Sequence, residues 1–370
     1  MSSSQTYSPF RSVLLREWRR MTSRRLYFGV CIILPLFTLF FMATIFGNGQ
    51  MENIPIGIVD QDNTASSRAI ARNISAVPTF KVTRHFVNEE AARKAVQKKE
   101  IYGYLSIPPK FEQDAISGKN ATLSYYYHYA LLSVGGELMA AFETSLAPVS
   151  LSPIVMQAVA LGVEQDKITT FLLPVQASNH PIYNPSLDYS VYLSQPFFFV
   201  LFQVLILLIT VYAVGIEIKF RTADEWLFVA KGNMVTAVLG KLLPYTIIFI
   251  LIGWLANYVM FGILHIPFQG SWLLMNMLTA LFVVATQALG LFLFSLFPAI
   301  SLIISIVSMV GSLGATLSGV TFPVTNMYPL VRDASYLFPV RHFTEMMQNM
   351  LYGGSGFIYL WPSVVILCIF

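Results

Sequence analysis

Hydrophobic and polar positions divide the chain into three parts: an apolar run at residues 26–46, a polar segment at 47–191, and an almost continuously apolar remainder. From residue 242 to residue 331 the chain contains no Asp, Glu, Lys or Arg. A bilayer core about 30 Å thick needs roughly 20 apolar residues per helix. The layout therefore predicts a polytopic α-helical membrane protein in which a polar domain follows the first span.

The apolar stretches predict six transmembrane helices. They cover residues 26–46, 192–216, 242–264, 272–297, 299–317 and 357–370, of which the last is the shortest. A cleaved signal peptide is the alternative for the first run. Its basic lead of 25 residues is too long for such a peptide, and no small-residue cleavage motif follows it.

Charged residues make up only 11% of the chain, against about 25% in soluble proteins. Six arginines precede the first span and four cations lie in the segment 217–241, whereas the short loops on the other side carry only Arg332 and Arg341. An excess of Lys and Arg marks cytoplasmic loops. We therefore expect both termini in the cytoplasm, the polar domain outside, and the protein in a bacterial cytoplasmic (inner) membrane.

Residues 1–25 are expected to form a cytoplasmic amphipathic helix. Phe10, Val13, Leu14, Trp18 and Met21 recur at helical spacing, and the arginines fall largely elsewhere around the helix. Such a helix lies in the membrane interface with its cations near anionic lipid head groups. The alternative is a simple topology signal, and the two roles are compatible.

The polar segment predicts an extracytoplasmic α/β domain, because short apolar runs alternate with helical patterns. Strands are expected at 54–60, 80–86, 101–107 and 121–129, and helices at 66–75, 89–99, 111–117, 131–146 and 154–173, with Ser66 or Thr64 as the first cap. The run Tyr-Tyr-Tyr-His-Tyr at 125–129 is either an aromatic ligand platform or an ordinary aromatic strand. The second is favoured, because alternate residues of a strand point to opposite faces.

The sequence offers little chemistry for catalysis or metal binding. His85, His128 and His180 are too scattered for a metal site, and the two cysteines, in apolar runs, predict no disulfide framework. The chain also lacks the GxxxxGK[ST] phosphate loop. An intramembrane enzyme using Ser312, Ser318 and His342 has no supporting motif. We expect no metal, no bound cofactor and no nucleic acid.

The predicted spans contain no ionisable residue, which argues against an ion-gradient-driven transporter with a porter-like external domain. Their strongest polar groups are Gln203, Asn257, Asn276 and Gln287. These residues either line a pathway or join helices, and the packing role is favoured. If the protein moves a substrate uphill, another polypeptide must supply the energy.

The segment 217–241 is the one sizeable internal cytoplasmic loop in this topology. Thr222 followed by Glu225 predicts a capping box that opens a short helix. Trp226, Leu227 and Val229 then offer apolar side chains to a groove on a partner. The alternative is a helix that rests on lipid.

Residues 320–356 are too polar to span a membrane and too apolar for a free loop, which predicts re-entrant helices on the outside. Arg341 and Glu345, four residues apart, are expected to pair on one helix face. A receptor with an external sensing domain is a further alternative, although it would need neither six spans nor this segment.

Three segments resemble the permeases of type-2 ATP-binding-cassette (ABC) exporters that carry a large external domain between the first two spans. The segment 54–68 (IPIGIVDQDNTASSR) is similar to the first external strand of that family. The loop residues and the last external segment resemble the family at Glu217, Thr222, Glu225, Leu227, Gly240-Lys241, Gly319, Phe322-Pro323, Met327, Pro329, Tyr336, Phe338-Pro339 and Arg341-His342-Phe343. The chain departs from the family at Arg221, where Gly is frequent, and lacks a Pro near 231–233.

The resemblance implies a dimer of identical or paralogous permeases with two cytoplasmic ATPase subunits, which hold ATP and Mg²⁺. This chain itself would not be an enzyme. The implied ATPase contacts are Glu217, Arg221, Thr222, Glu225, Trp226 and Leu227, and the implied re-entrant segment includes Phe322, Pro323, Pro339, Arg341, His342 and Glu345. ATP binding would push the helix at 222–230 and move the spans. A drug, lipid or other amphiphile would leave outward, and a periplasmic adaptor would meet the external domain.

Overall fold

A computed structural model describes residues 8–23, 25–45, 49, 51–117, 119, 121–160, 184, 188, 190–352 and 357–370. The chain forms two compact units: Met1–Gly49 with Asp188–Phe370, called the membrane unit below, and Gln50–Leu187, called the inserted unit. The membrane unit begins with α1 (Pro9–Ser23), α2 (Arg25–Phe28) and α3 (Leu34–Ile45), and the π-helical turn Gly29–Ile33 joins the last two.

The inserted unit is an α/β domain. Its elements are β1 (Ile54–Asp60), α4 (Ala65–Ser75), β2 (Phe80–Phe86), α5 (Glu89–Gln97), β3 (Gly103–Ile107), α6 (Phe111–Ile116), β4 (Ser124–Tyr127) and α7 (Leu132–Ala160). The sheet order is β2-β1-β3-β4, with β1 parallel to β2 and to β3, and β4 antiparallel to β3. Parallel neighbours need crossover connections, which α4 and α5 supply.

Helices cover both faces of this sheet. Ile56 and Leu105 pack with Ile70 of α4 and Phe142 of α7 in the larger core. On the opposite face Val59 and Tyr104 pack with Ala92 and Ala95 of α5. Both cores use the apolar positions that the strand pattern places on alternating faces.

Thr64 caps α4, one of the two residues that the sequence proposes for this role. Its hydroxyl accepts from the Ser67 backbone N–H at 3.2 Å, and the Ser67 hydroxyl accepts from the Thr64 N–H at 3.0 Å. The prediction of two helices at 131–146 and 154–173 is wrong at their junction. One helix, α7, runs through Pro148 and Pro153 to Ala160, although each proline removes a backbone donor. Residues 161–173 lie outside the described part of the chain.

The aromatic run at 125–129 divides between the two faces of the sheet. Tyr125 stacks on Phe142 with ring centroids 5.1 Å apart. Tyr126, on the other face, stacks on Tyr104 at 4.8 Å. The side chains therefore do not form one platform, in agreement with the ordinary strand interpretation.

In its described residues, the membrane unit continues with eight α-helices. They are α8 (Gln195–Lys219), α9 (Ala223–Val229), α10 (Met234–Asn257), α11 (Trp272–Leu296), α12 (Ile300–Leu317), α13 (Pro329–Ser335), α14 (Pro339–Tyr352) and α15 (Phe357–Ile369). Within the described residues, four helical segments are long and apolar enough to cross a membrane: Ser190–Lys219, Met234–Ile263, Trp272–Leu296 and Ile300–Leu317. Gly29–Ile45 and Phe357–Ile369 are shorter apolar helices.

The core of the membrane unit surrounds α8, most of whose residues are buried. Phe199 of α8 lies 4.5 Å from Phe343 of α14, and Phe343 lies 4.7 Å from Phe282 of α11, centroid to centroid. Aromatic packing thus fixes α14, part of the segment predicted as re-entrant, against two long helices. Buried aromatic side chains contribute large contact areas of this kind.

Candidate functional site

The predicted loop 217–241 is shorter in the structure, because α10 begins at Met234 rather than after Lys241. Its short helix, α9, is present at Ala223–Val229. The capping box is wrong: Thr222 occupies the cap position but makes no capping hydrogen bond. The Thr222 hydroxyl donates instead to the carboxylate of Glu217, a stronger charge-assisted acceptor.

The helix α9 has a buried face and an exposed face. Trp226 is only 4% exposed, and its indole N–H donates to the Ala237 carbonyl of α10 at 3.1 Å. Phe228, two residues later, is 84% exposed and lies among the exposed side chains of Asp224 and Glu225. The prediction that Trp226 faces a partner is therefore wrong, whereas Phe228, which the sequence analysis did not select, is available to one.

Glu217, near the end of α8, forms the centre of a buried group of charges. Arg16 of α1 donates to both carboxylate oxygens, at 2.9 and 3.1 Å, and Arg20 donates to Oε1. Lys241 Nζ of α10 lies 2.7 Å from the same Oε1. One carboxylate thus joins three helices. We call Arg16, Glu17, Arg20, Glu217 and Lys241 the ion cluster.

Glu17 supplies the second carboxylate of the ion cluster. Lys241 Nζ donates to its Oε2 and the Tyr245 hydroxyl donates to its Oε1, both at 2.6 Å. Glu17, Glu217, Lys241 and Tyr245 are all fully buried. Short hydrogen bonds between ionised groups are the strong ones, and they satisfy the oxygens that burial removes from water.

Three cations face two carboxylates in the ion cluster, so each carboxylate has more than one positive partner. Burial disfavours a charged Arg20, but the hydrogen bond to Glu217 and the charges of Glu17 and Glu217 outweigh burial and raise the pKa of Arg20 above its ordinary value. Removing one partner of a buried ion pair leaves an uncompensated charge. The arrangement therefore favours one fixed position of α1 against α8 and α10.

The ion cluster also reaches α9. Lys241 Nζ lies 5.4 Å from the centroid of the Trp226 ring, a cation–π distance. At Gly240 an added Cβ would lie 3.0 Å from Val13 Cβ, so α1 and α10 approach closely there. A displacement of α9 would therefore act on Trp226 and Glu217, and through them on α8 and α10.

The prediction that the membrane spans contain no ionisable residue is wrong at the ends of two helices. Glu217 lies inside α8 and Lys241 inside α10, both predicted as loop residues. Their charges are tolerated because they compensate each other and those of α1. Each carboxylate has fixed partners: Lys241 and two arginines donate to Glu217, and Lys241 and Tyr245 donate to Glu17.

Arg221, a predicted ATPase contact, is exposed and has a left-handed backbone with φ of 56°. It lies two residues after Lys219, the last residue of α8, at the position where helices commonly carry a left-handed glycine. A side chain in this conformation costs about 1–2 kcal/mol. The backbone conformation would therefore favour Gly at this position. Leu227, another predicted contact, is half-buried.

The predicted polar residues of the spans lie at helix contacts. Asn257 of α10 donates to Asn276 and to Thr279 of α11, both at 3.0 Å, and accepts from Gln195 of α8 at 3.2 Å. We call Gln195, Asn257, Asn276 and Thr279 the amide layer. The other two residues act similarly: Gln287 accepts from the Thr246 hydroxyl at 2.7 Å, and Gln203 accepts from the Val340 N–H at 2.8 Å. These contacts favour the packing role.

The residues of the predicted re-entrant segment separate into two groups. Arg341 pairs with Glu345 at 3.2 Å, which confirms that prediction, and Ser363 of α15 donates to Glu345 at 3.1 Å. Pro339 and His342 are buried, and the His342 ring bonds to the Tyr336 carbonyl at 3.0 Å. Phe322 and Pro323 are exposed. The residues predicted for this segment therefore do not form one shared site.

The enzyme alternative receives no geometric support. The hydroxyls of Ser312 and Ser318 donate to carbonyls of their own helix, at Met309 and Ala315. Among the described residues, no group of three or more His, Cys, Asp or Glu side chains is placed to hold a metal ion.

Sequence reasoning missed Glu17 and Tyr245, and it named Lys241 only as a loop cation and within the family resemblance. A signal existed for the first: Val13, Glu17 and Met21 share one helical face, and an acid between two apolar residues predicts a buried cation. The partner of Glu17 is 224 residues away in the chain, so its identity follows only from the fold.

Comparisons with known proteins identify the family of this chain. A sequence profile of the ABC-2 family transporter proteins matches residues 25–370. The chain is 21% identical over 337 residues to the inner membrane transport permease YhhJ of Escherichia coli K12, covering 86% of this chain and 82% of YhhJ. It is also 21% identical over 364 residues to the probable multidrug ABC transporter permease YbhS of the same organism, covering 96% and 92%.

A shorter similarity, 23% over 182 residues and about half of each chain, relates the protein to the probable multidrug ABC transporter permease YbhR. No solved structure matches the chain. Because the profile extends over nearly the whole sequence, the chain belongs to the ABC-2 family of transporter proteins, as an ABC transporter permease.

Proposed function

We propose that this permease is the membrane subunit of an ATP-driven exporter, and that a separate cytoplasmic ATPase docks on the exposed face of α9. The family implies ATPase partners and a dimer of permeases. The observation that carries the docking proposal is Phe228, which is 84% exposed on a helix whose other face is fixed to the membrane unit. An exposed aromatic side chain can become an anchor when a partner provides a pocket that buries it.

The orientation is supported by the ion cluster. Hydrogen bonds between α1 and Glu217 require the first residues of the chain and α9 to lie on the same side of the membrane. That side carries the excess of Arg and Lys, which supports a cytoplasmic location for it. The inserted unit would then lie outside, where an adaptor protein would reach it.

A displacement of α9 would be transmitted to the rest of the membrane unit through two contacts. Trp226 and Glu217 connect α9 to α10 and to the end of α8. With 25 residues, α8 is about 37 Å long. In its first half, the Gln203 side chain accepts a hydrogen bond from the Val340 N–H at the N-terminus of α14. We infer that ATP-driven motion of α9 shifts α8 and α14 as rigid elements.

The proposed cargo is a drug, lipid or other amphiphile that leaves outward. The apolar spans and the names of YbhS and YbhR, both probable multidrug permeases, support this class. An ion-gradient mechanism is less well supported, because cations hold both buried carboxylates of the ion cluster.

Co-purification of an ATPase from native membranes tests the docking face. Phe228→Ala is expected to reduce the bound ATPase at least about tenfold, as an anchor residue would. Phe357→Ala makes the same chemical change at another exposed position of the membrane unit and should have no effect. The unfolding midpoint of each variant shows that it is folded. Normal ATPase recovery with folded Phe228→Ala would contradict the proposal.

A further inference from the structure

The sheet of the inserted unit has two edge strands, and they differ in how they are protected against pairing. The strand β2, at one edge, exposes Lys81, Arg84 and His85. Its register against β1 also shifts between Ile56 and Gly57, which marks a bulge. Exposed charges and bulges are the features by which natural sheets avoid association through their edges. The edge at β2 is therefore unsuited to a further strand.

The opposite edge, formed by β4, is of the unprotected kind. Among the described residues, β4 pairs only with β3, in an antiparallel register without a shift. Its residues, Ser-Tyr-Tyr-Tyr at 124–127, include no charge, no proline and no glycine. Tyr126 is 44% exposed. An uncharged and regular edge strand presents a template on which another strand can pair.

The hydrogen bonds between β4 and β3 determine which backbone groups of β4 point outward. The His128 N–H donates to the Tyr102 carbonyl at 2.8 Å. In an antiparallel pair, hydrogen-bonded and non-hydrogen-bonded residues alternate. Tyr126, two residues before His128, therefore directs its N–H and C=O toward β3. Tyr125 and Tyr127 direct theirs away from β3, so each offers a donor and an acceptor at the edge.

We propose that β4 pairs with β4 of a second copy of this chain, antiparallel and about a two-fold axis at Tyr126. In this register Tyr125 of each copy faces Tyr127 of the other, and every outward N–H and C=O of these residues finds a partner. Tyr126 faces its own counterpart. The inference rests on the dimer of permeases in the proposed function and adds where the two inserted units meet.

Self-complementarity favours a second copy over a different partner. A two-fold interface uses the same patch on both subunits, so that patch must fit itself. The proposed register opposes tyrosine to tyrosine and Ser124 to His128, and it brings no like charges together. It also extends an existing stack, since the Tyr126 ring lies 4.8 Å from that of Tyr104, centroid to centroid. Aromatic pairs between neighbouring strands stabilise sheets.

Disulfide trapping in native membranes under mild oxidation tests the register. Each variant also carries Cys368→Ser, which removes an exposed native thiol, whereas Cys31 is buried. Tyr126→Cys places two thiols opposite each other where the Cα atoms are about 4.5 Å apart, and a disulfide fits there. The matched control is Ser124→Cys, whose two copies would be about 14 Å apart. We expect at least about tenfold more disulfide-linked dimer with Tyr126→Cys than with Ser124→Cys.

Two further variants separate this register from other contacts between copies. Ser124→Cys and His128→Cys, coexpressed with different tags, should give a mixed disulfide-linked dimer, because these positions oppose each other in the register. Tyr127→Pro removes an outward N–H and leaves the bonds to β3 in place. It should lower the yield of the Tyr126→Cys dimer at least about fivefold, since each two-fold pair loses two hydrogen bonds. The unfolding midpoint of each variant shows that it is folded.

Equal dimer yields for folded Tyr126→Cys and Ser124→Cys overturn the inference, as does a disulfide from position 126 to a different polypeptide. Light scattering and ATPase recovery are measured on the same samples. A dimer that binds the ATPase but forms no disulfide at position 126 overturns this inference alone. A monomer that recovers no ATPase contradicts the proposed function as well.

Discussion

The two polar layers of the membrane unit lie at opposite ends of α8 and differ in charge. At one end, Glu217 joins the ion cluster, with three cations and two carboxylates. At the other end, Gln195 joins the neutral amide layer. Both layers connect helices, but only the ion cluster includes α1 and reaches α9. A buried ion cluster is difficult to rearrange one partner at a time, so it suits the end that receives force.

The largest effect is expected from breaking the ion cluster. Lys241→Met leaves Glu17 and Glu217 without their shared cation and should lower the free energy of unfolding by about 3–5 kcal/mol. The charge-balanced variant Glu17→Gln/Lys241→Met should lose less than Lys241→Met alone. Denaturant unfolding in detergent measures both. A loss below about 1 kcal/mol for Lys241→Met would show that the cluster is not the rigid connection described above.

Substitutions on the two faces of α9 should differ in their effect on the free energy of unfolding. Trp226→Ala removes a buried ring and its bond to Ala237, and should lower the free energy of unfolding by about 3–5 kcal/mol. Phe228→Ala, at an exposed position of the same helix, should change it by less than about 0.5 kcal/mol. Thermal unfolding of the two variants side by side measures the contrast. Equal losses would show that the assignment of faces is wrong.

The amide layer should be weaker than the ion cluster. Hydrogen bonds between membrane helices contribute about 0.6 kcal/mol each on average and up to about 1.7 kcal/mol. Asn257→Leu breaks three such contacts and should lower the free energy of unfolding by about 1–2 kcal/mol. A double-mutant cycle with Thr279→Val isolates one of them. A coupling energy above about 3 kcal/mol between Asn257 and Thr279 would show that the amide layer is as strong as the ion cluster, which would contradict the comparison.

The smallest expected effect is a gain in stability. Arg221→Gly relieves the left-handed backbone after α8, which should raise the free energy of unfolding by about 1 kcal/mol. Lys219→Gly, inside the same helix, should lower it by about 1 kcal/mol. The shift of the unfolding midpoint gives the sign in each case. A decrease with Arg221→Gly would mean that the Arg221 side chain makes a stabilising contact.

The hydrophobic pattern predicts much of the fold, because long runs without charge leave few alternatives. The helices expected at 272–297 and 299–317 correspond to α11 and α12, and the strands at 54–60 and 80–86 to β1 and β2. The predicted end of the loop at Lys241 is wrong, because in the sequence a charged residue indicates a boundary between loop and span, whereas in the structure Lys241 lies inside α10. Its burial depends on Glu17, far away in the sequence.

For the candidate site, the sequence predicts the short helix but not which of its side chains are exposed. The sequence indicates a short helix after Thr222, but four consecutive apolar residues, 226–229, leave its rotation undetermined. The contact between Trp226 and the Ala237 carbonyl decides that rotation, and it exists only after α10 has packed against α9. The exposure of Phe228 is a consequence of this packing and has no signal of its own in the sequence.

Photocrosslinking from position 228 tests the central claim most directly. Benzoylphenylalanine replaces Phe228 in one variant and Phe357 in a second, both at exposed positions of the membrane unit. After irradiation in native membranes, the account predicts an adduct between position 228 and an ATP-binding polypeptide, and no such adduct from position 357. Adducts from position 228 that contain only lipid or the permease itself would contradict the account.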